Sequence, residues 1–181
     1  MKTAIVVIDM INDFVTGKLK CNGASKIITN IGRLLESARS AGIPIIYAND
    51  AHLPGIDGEL KIWPEHALAG TEGAEVVEEL KPLRGDYIIQ KRRYSAFFGT
   101  CLDLLLRELE VDTLVLVGLV TNVCIQNTAG DAFFRGYRVI VPEDCVGAAS
   151  EEDHRSGIDY MRKIYGCEIA RAEGLISRGW V

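Results

Sequence analysis

The sequence lacks the features that mark membrane, nucleic-acid-binding and disulfide-stabilised proteins. Its longest apolar runs, Ala4–Ile8 and Leu114–Val117, are far shorter than the roughly 20 residues that span a bilayer. Twenty basic against 25 acidic residues give a net charge of −5, so we expect no nucleic-acid partner, because phosphate backbones require a basic surface. The five cysteines form no CxxC pair and no signal peptide is recognisable, so we expect reduced thiols in a cytoplasmic protein.

Three common site motifs of α/β proteins are also missing. The chain contains no GxGxxG dinucleotide fingerprint, no GxxxxGK(S/T) phosphate loop and no GxSxG nucleophile elbow. We therefore expect no nucleotide cofactor and no serine hydrolase of the elbow type.

What the sequence does contain is an alternation of short apolar runs and amphipathic stretches. With 181 residues and 48% hydrophobic composition, it is typical of one globular domain, 1–181. The apolar runs predict strands at Ala4–Ile8, Ile43–Ala48, Tyr87–Gln90, Thr113–Val117, Tyr137–Val141 and Cys167–Ala170. The stretches between them predict helices at Ala24–Ala41, Ala74–Leu80, Thr100–Leu109, Asn122–Arg135 and Glu151–Tyr165.

Strands that alternate with helices favour a parallel sheet with right-handed crossovers on both faces. The predicted fold is therefore α/β, a three-layer α/β/α arrangement with a doubly wound six-stranded parallel sheet of order 3-2-1-4-5-6. In such folds the site lies at the carboxyl ends of the strands. The long irregular segment Asn49–Gly73 is also expected to be functional, since loops of that length in a compact domain usually are.

Chemically active residues follow the predicted strands. Asp9 ends the first strand, Lys91 ends the third, and Cys124 comes shortly after the fourth. With Thr121 or Asn122 as N-cap, Cys124 would lie in the first turn of a helix, where free N–H groups and the helix dipole favour a thiolate. Lys91 would lower the thiol pKa further, and Asp9 would accept its proton. Each residue alone also fits a structural role: a turn acid, a solvated lysine or a buried thiol.

Three motifs in this order resemble the isochorismatase-like cysteine hydrolases, a superfamily that includes nicotinamidases and N-carbamoylsarcosine amidases. They are Asp9 with Asp13-Phe14, Lys91 with Tyr94-Ser95-Ala96-Phe97, and Gly118-Leu119-Val120-Thr121-Asn122-Val123-Cys124. The resemblance implies an Asp9–Lys91–Cys124 catalytic triad and a cis peptide between Leu119 and Val120. It also implies an oxyanion hole formed by the backbone N–H groups of Val120 and Cys124.

A second part of the resemblance concerns a metal. Asp50-Ala51-His52, together with His66, is similar to the metal site of nicotinamidases. On an extended segment, residues two apart lie on the same side, so Asp50 and His52 can bind the same metal ion. A third ligand, His66, leaves coordination positions open, as in catalytic zinc sites. We expect a divalent metal at this site. Zinc, iron and manganese all accept N and O ligands, and we expect zinc first.

These features predict an amidohydrolase for a small C–N substrate, most closely a nicotinamide-type amide. Phe14 and Trp63 would sandwich a flat ring in a pocket that also includes Tyr94. The short Lys91-to-Tyr94 spacing and Ala67 after His66 depart from nicotinamidases and leave a carbamoyl amidase as the alternative.

Further alternatives stay open. A non-catalytic relative is one, and a redox sensor that pairs Cys124 with Cys145 is another. We expect a homo-oligomer, a dimer or tetramer, and a solvated His154.

Overall fold

The computed structural model describes residues 2–179, so Met1, Trp180 and Val181 of the predicted domain lie outside the described residues. Within this range seven parallel strands form one sheet. They are β1 (Thr3–Ile8), β2 (Ile45–Asp50), β3 (Tyr87–Lys91), β4 (Thr113–Leu119), β5 (Arg138–Pro142), β6 (Val146–Gly147) and β7 (Glu168–Ala170). The order is β3-β2-β1-β4-β5-β7, and β6 pairs with β4.

The predicted strand order is confirmed, because β7 occupies the place of the sixth predicted strand. The additional strand, β6, has two residues and is too short for a period-two pattern to reveal. The second strand begins at Ile45 instead of Ile43, because the Ile43 N–H donates to Ala38 O at 2.9 Å and so closes the turn after the preceding helix. At their other ends β2 and β3 run on to Asp50 and Lys91.

Helices cover both faces of the sheet, as expected for three layers. They are α1 (Asn12–Val15), α2 (Ala24–Ser40), α3 (Leu102–Glu108), α4 (Gln126–Phe134), α5 (Glu151–Ile164) and α6 (Ala172–Ser177). Ile5 and Val7 of β1 pack in one apolar cluster with α2 and α6, whereas Val6 and Ile8 pack in a second cluster with α3, α4 and α5. This alternation explains why β1 is apolar at every position, since both of its faces are covered.

One predicted helix is wrong and two short helices were not predicted. Instead of a helix at Ala74–Leu80, the chain forms two single 3₁₀ turns, Glu72–Ala74 and Glu78–Leu80. The residues between them are extended, because Val76 bridges to Ile11 and the Val77 N–H donates to Met10 O at 3.0 Å. The four-residue α1 and six-residue α6 are too short for helical periodicity to stand out.

The segment between β2 and β3 contains no α-helix and lies over the carboxyl edge of β1 and β2. Its first part is tied back by a bridge between His52 and Leu68, with the His52 N–H donating to Ala67 O at 2.8 Å. Asp13 of α1 fastens the same part, since its carboxylate accepts from the Ala67 N–H at 2.8 Å. Among residues 2–179, no helix is long and apolar enough to cross a membrane.

Candidate active site

Four buried side chains meet at the carboxyl edge of the sheet. Asp9 follows β1, Asp50 ends β2, Lys91 ends β3, and Cys124 lies in a π-helical turn after β4. The Lys91 ammonium is 2.7 Å from Asp9 Oδ2, 2.7 Å from Asp50 Oδ1 and 3.7 Å from Cys124 Sγ. The three predicted triad residues therefore lie together around one cation.

Lys91 reaches this point by crossing a strand. In the sheet register Lys91 is the neighbour of Asp50, whereas Asp9 lies one strand further away. The long, flexible lysine stem spans that distance and keeps the ammonium between the two carboxylates. Sequence reasoning paired Lys91 with Asp9 alone and treated Asp50 only as a metal ligand. The signal for the second contact was available, since Asp50 ends the strand predicted beside that of Lys91.

Asp9 is held in an unusual backbone conformation. Its φ of 54° lies in the left-handed region, and its N–H donates to Asn49 Oδ1 at 3.1 Å. The carboxylate Oδ1 accepts from the Asp50 N–H at 2.8 Å. Burial, with a further contribution from the Asp50 charge, raises the pKa of Asp9 to about 7, although Lys91 opposes the shift. A carboxyl group with a pKa near neutrality can exchange a proton with a thiol in either direction.

The electrostatics of the thiol differ from the sequence prediction. Burial raises the pKa of Cys124 well above its ordinary value, and the Lys91 ammonium only reduces that rise. The expected lowering of the thiol pKa is therefore wrong, because burial outweighs the effect of the Lys91 charge. For Lys91, burial lowers the pKa, but the charges of Asp50 and Asp9 outweigh it and hold the pKa well above the usual value.

The backbone around Cys124 is specialised. The peptide between Leu119 and Val120 is cis, and a π-helical turn, Thr121–Ile125, leads into α4. Just before it, Gly118 has a φ of 115°, and a Cβ there would lie 2.0 Å from Ile8 O, so the close approach of β4 to β1 requires glycine.

The predicted N-cap is wrong, because Val120 occupies that position and no side chain caps the turn. Thr121 Oγ1 instead contacts His154 Nδ1 at 3.0 Å, and Asn122 Nδ2 donates to Asp153 Oδ1 at 3.2 Å. His154 is half-buried in this contact and not solvated as expected. Cys145 packs in the opposite core cluster from Cys124, which argues against pairing of the two thiols.

The predicted metal ligands also lie together. Ligand atoms of Asp50, His52 and His66 are within 4.8 Å of one another, and all three side chains are buried. His52 Nε2 is 3.6 Å from Asp50 Oδ2, and the two imidazole rings meet edge-on with centroids 5.0 Å apart. Burial lowers the pKa of His52, but the surrounding carboxylates outweigh it and raise the pKa.

Sequence reasoning missed two acids beside this cluster, Asp57 and Glu59. Glu59 is buried, and its Oε2 lies 3.7 Å from His52 Nε2. Asp57 contacts His52 Nδ1 at 3.1 Å. Their place in the segment that already carries two candidate ligands was the available signal. His52 Nε2 and Glu59 Oε1 are buried without a hydrogen-bond partner among the described residues. Imidazole nitrogen and carboxylate oxygen atoms that lack hydrogen-bond partners and lie this close together are suitable ligands for a divalent cation.

A cavity of about 310 Å³ opens onto Cys124 and onto three acids and histidines of the candidate metal site, Asp50, Glu59 and His66. Phe14, Trp63 and Tyr94, the three predicted pocket residues, all line it. Phe14 packs on the His66 ring with centroids 5.3 Å apart, and Trp63 Nε1 donates to Tyr94 Oη at 3.0 Å. Lys20, which sequence reasoning did not select, also lines the cavity.

Together, the doubly wound sheet and its edge define an α/β protein with a buried acid–lysine–thiol group beside a potential metal site. The chain belongs to the isochorismatase family, whose isochorismatase domain matches residues 3–173. N-carbamoylsarcosine amidase from Thermoplasma acidophilum is 41% identical with a TM-score of 0.90, covering 96% of this chain and 98% of the other.

Two further solved structures are similar over nearly the whole chain. Nicotinamidase PncA from Bacillus subtilis is 32% identical with a TM-score of 0.90, covering 94% of this chain and 100% of the other. A pyrazinamidase of Pyrococcus horikoshii in complex with zinc is 29% identical with a TM-score of 0.87, covering 94% and 99%.

Proposed function

We propose that this protein is a cysteine-dependent amidohydrolase that cleaves a small amide, most closely of the nicotinamide type, through a thioester. The observation that carries the proposal is the contact of the Lys91 ammonium with Asp9, Asp50 and the Cys124 thiol at the wall of an aromatic-lined cavity. On the resemblance described above, we further propose that it acts in the cytoplasm as a dimer or tetramer.

In the proposed reaction, Asp9 takes the proton of Cys124 as the sulfur attacks the amide carbonyl carbon. The Lys91 ammonium stabilises the sulfur anion, and the Val120 and Cys124 N–H groups hold the developing oxyanion. Asp9 then returns the proton to the leaving nitrogen, and ammonia departs. A water molecule, deprotonated by Asp9, cleaves the thioester and releases the carboxylic acid and the free thiol.

The cavity supplies substrate recognition. Phe14 and Trp63 offer aromatic faces for a flat ring, and Tyr94 holds Trp63 through its hydroxyl. Asp50, His52 and His66, with Glu59 beside them, would hold a divalent metal such as zinc, iron or manganese. When bound, such a cation supplies a Lewis-acid site at the cavity wall.

A second candidate is a carbamoyl hydrolase, which would release carbon dioxide as well as ammonia. Its support is the 41% identity to an N-carbamoylsarcosine amidase and the presence of Lys20 at the cavity. Lys20 is an exposed cation at the cavity, and it suits a substrate that carries a carboxylate.

The experiment is an ammonia-release screen with nicotinamide, pyrazinamide, N-carbamoylsarcosine and ureido acids. We expect turnover of the neutral aromatic amides, and its loss by at least a thousandfold in Cys124→Ala, because no other group can form the thioester. Cys101→Ala is the matched control, since Cys101 is exposed and away from the cavity. Carbon dioxide release from a carbamoyl substrate would select the second candidate, and full activity of Cys124→Ala would contradict both.

A further inference from the structure

The imidazole of His52 is held by a buried carboxylate outside the predicted ligand set. Asp57 Oδ2 lies 3.1 Å from His52 Nδ1 and also accepts from the Leu53 N–H at 2.9 Å. Both Asp57 and His52 are buried. Asp57 therefore contacts the ring nitrogen that does not face Asp50.

Arg92 holds this carboxylate in place. Its Nε donates to Asp57 Oδ1 at 2.8 Å, and its Nη2 makes a second, short contact with the same oxygen. Arg92 directly follows Lys91 at the end of β3, so the ion pair connects the sheet to the segment that carries His52. Because arginine remains charged and its planar guanidinium restricts the geometry, Asp57 has one orientation relative to the imidazole.

The contacts of Asp57 determine which nitrogen of His52 carries a proton. An ionised carboxylate only accepts hydrogen bonds, so the short contact requires a proton on Nδ1. Nε2 then points toward Asp50 Oδ2 at 3.6 Å and Glu59 Oε2 at 3.7 Å, without a hydrogen-bond partner among the described residues. His66 shows the same pattern, since its Nδ1 contacts the acceptor Pro64 O at 2.6 Å.

We propose that Asp57, fastened by Arg92, is a positioning residue that presents His52 Nε2 to a divalent cation at Asp50, His52 and His66. This inference rests on the metal site of the proposed function. Because Asp57 already holds the imidazole in one tautomer and one orientation, metal binding does not have to include the free-energy cost of ordering the ring. Outer carboxylates of this kind typically account for about 10–100-fold in metal affinity.

The first experiment measures zinc affinity of the metal-free protein by competition with a chromophoric chelator. We expect Asp57→Asn to weaken zinc binding about 10–100-fold, and Arg92→Gln to weaken it less but in the same direction. Asp86→Asn is the matched control, because Asp86 also pairs with an arginine, Arg39 at 2.7 Å, and accepts from a backbone N–H, that of Leu83 at 2.8 Å. The zinc affinity of Asp86→Asn should stay within about twofold of wild type, since Asp86 lies outside the group of Asp50, His52 and His66.

The second experiment reads the His52 tautomer directly in the wild-type protein. The chain has three histidines, so ring-nitrogen NMR of the metal-free wild type can be assigned by substitution. We expect neutral His52 to carry its proton on Nδ1 and to lose this preference in Asp57→Asn. A wild type with the proton on Nε2, or equal zinc affinity in wild type and Asp57→Asn, overturns the inference alone. A wild type that binds no zinc overturns the metal site and the inference together.

Discussion

At the scale of single residues, the site is defined by one ammonium between two carboxylates. Lys91 contacts Asp9 and Asp50 at 2.7 Å each, so two buried carboxyl groups share one ammonium. Burial, with a further contribution from the charge of Asp50, raises the pKa of Asp9 to about 7. Burial is also the main reason why the pKa of Cys124 lies well above its ordinary value, and the charges of Asp9 and Asp50 add to the rise while Lys91 opposes it. In the proposed reaction, Asp9 therefore takes the thiol proton as Cys124 attacks.

Lys91→Met tests this arrangement, because it keeps the stem and removes the ammonium. Lys91 is the cation that lowers the pKa of Cys124 against burial, so its loss should raise that pKa further. We expect alkylation of Cys124 by iodoacetamide at pH 8 to slow at least tenfold, since one pKa unit changes the thiolate fraction about tenfold. A Cys101→Ser background removes the exposed thiol.

Two controls accompany the alkylation experiment. Far-UV dichroism must show a folded variant, because unpaired Asp9 and Asp50 are expected to cost about 3–5 kcal/mol of stability. Lys81→Met removes an exposed lysine on the same protein and should leave the pH profile of alkylation unchanged. Superimposable profiles of wild type and Lys91→Met would mean that Lys91 does not act on the thiol.

At the scale of elements, the proposed catalytic groups come from strand ends and one turn. The turn that carries Cys124 packs against α5, where Gly157 faces it. A Cβ at Gly157 would lie 3.0 Å from Asn122 Cα and 3.1 Å from Asn122 N. Helix α5 thus supports the backbone two residues before Cys124, and the absence of a side chain at Gly157 allows the close approach.

Gly157→Ala should reduce catalysis more than stability. The added methyl pushes the backbone of Asn122 by a few tenths of an ångström, and small misplacements of reacting groups cost large factors in rate. We expect kcat to fall about tenfold with KM little changed, measured on the substrate identified by the ammonia screen.

Gly32→Ala in α2 is the matched control for Gly157→Ala. Its Cβ would meet only Leu80 Cδ2 at an ordinary 3.8 Å. It should keep full activity and gain about 0.5–1 kcal/mol in stability. Equal kinetics for the two variants would exclude a supporting role of Gly157.

At the scale of the whole molecule, a long irregular segment closes the edge of the sheet. Residues 51–86 contain three short 3₁₀ turns but no strand and no α-helix. The segment is secured by isolated contacts such as the bridge from His52 to Leu68 and the Ala67 N–H bonded to Asp13. A cation held by Asp50, His52 and His66 would connect the sheet to two points of this segment. Metal binding should therefore stabilise the folded chain.

Metal removal tests that linkage through thermal unfolding. At free zinc 100 times its dissociation constant, binding contributes about 2.7 kcal/mol, which corresponds to a Tm higher by roughly 5–10 °C for a chain of this size. We expect EDTA to remove that increment in wild type. His66→Ala should show no zinc-dependent shift, whereas His154→Asn should keep it, because His154 lies away from the cluster. A wild-type Tm that is independent of zinc and EDTA would argue against a bound metal.

Much of the architecture could be predicted from the sequence. Apolar runs place the strands, and the amphipathic stretches between them require crossovers that cover both faces of a parallel sheet. From that alone Asp9, Lys91 and Cys124 are expected at one edge, because parallel strands all end on the same side. The structure brings these three residues together there. Short elements such as β6 and α1 escaped prediction, since two to four residues carry no period.

The sequence by itself thus determined the layers, the strand order and the edge at which the reactive residues gather, because these depend on local periodicity and chain connectivity. Only the tertiary structure showed that Asp50 shares Lys91 with Asp9, that burial raises the pKa of Cys124 and that acids surround His52. Those properties depend on burial and on neighbours distant along the chain. Desolvation and through-space charge are not encoded in a local sequence pattern. The pKa shifts at the carboxyl edge of the sheet therefore depend on the folded molecule.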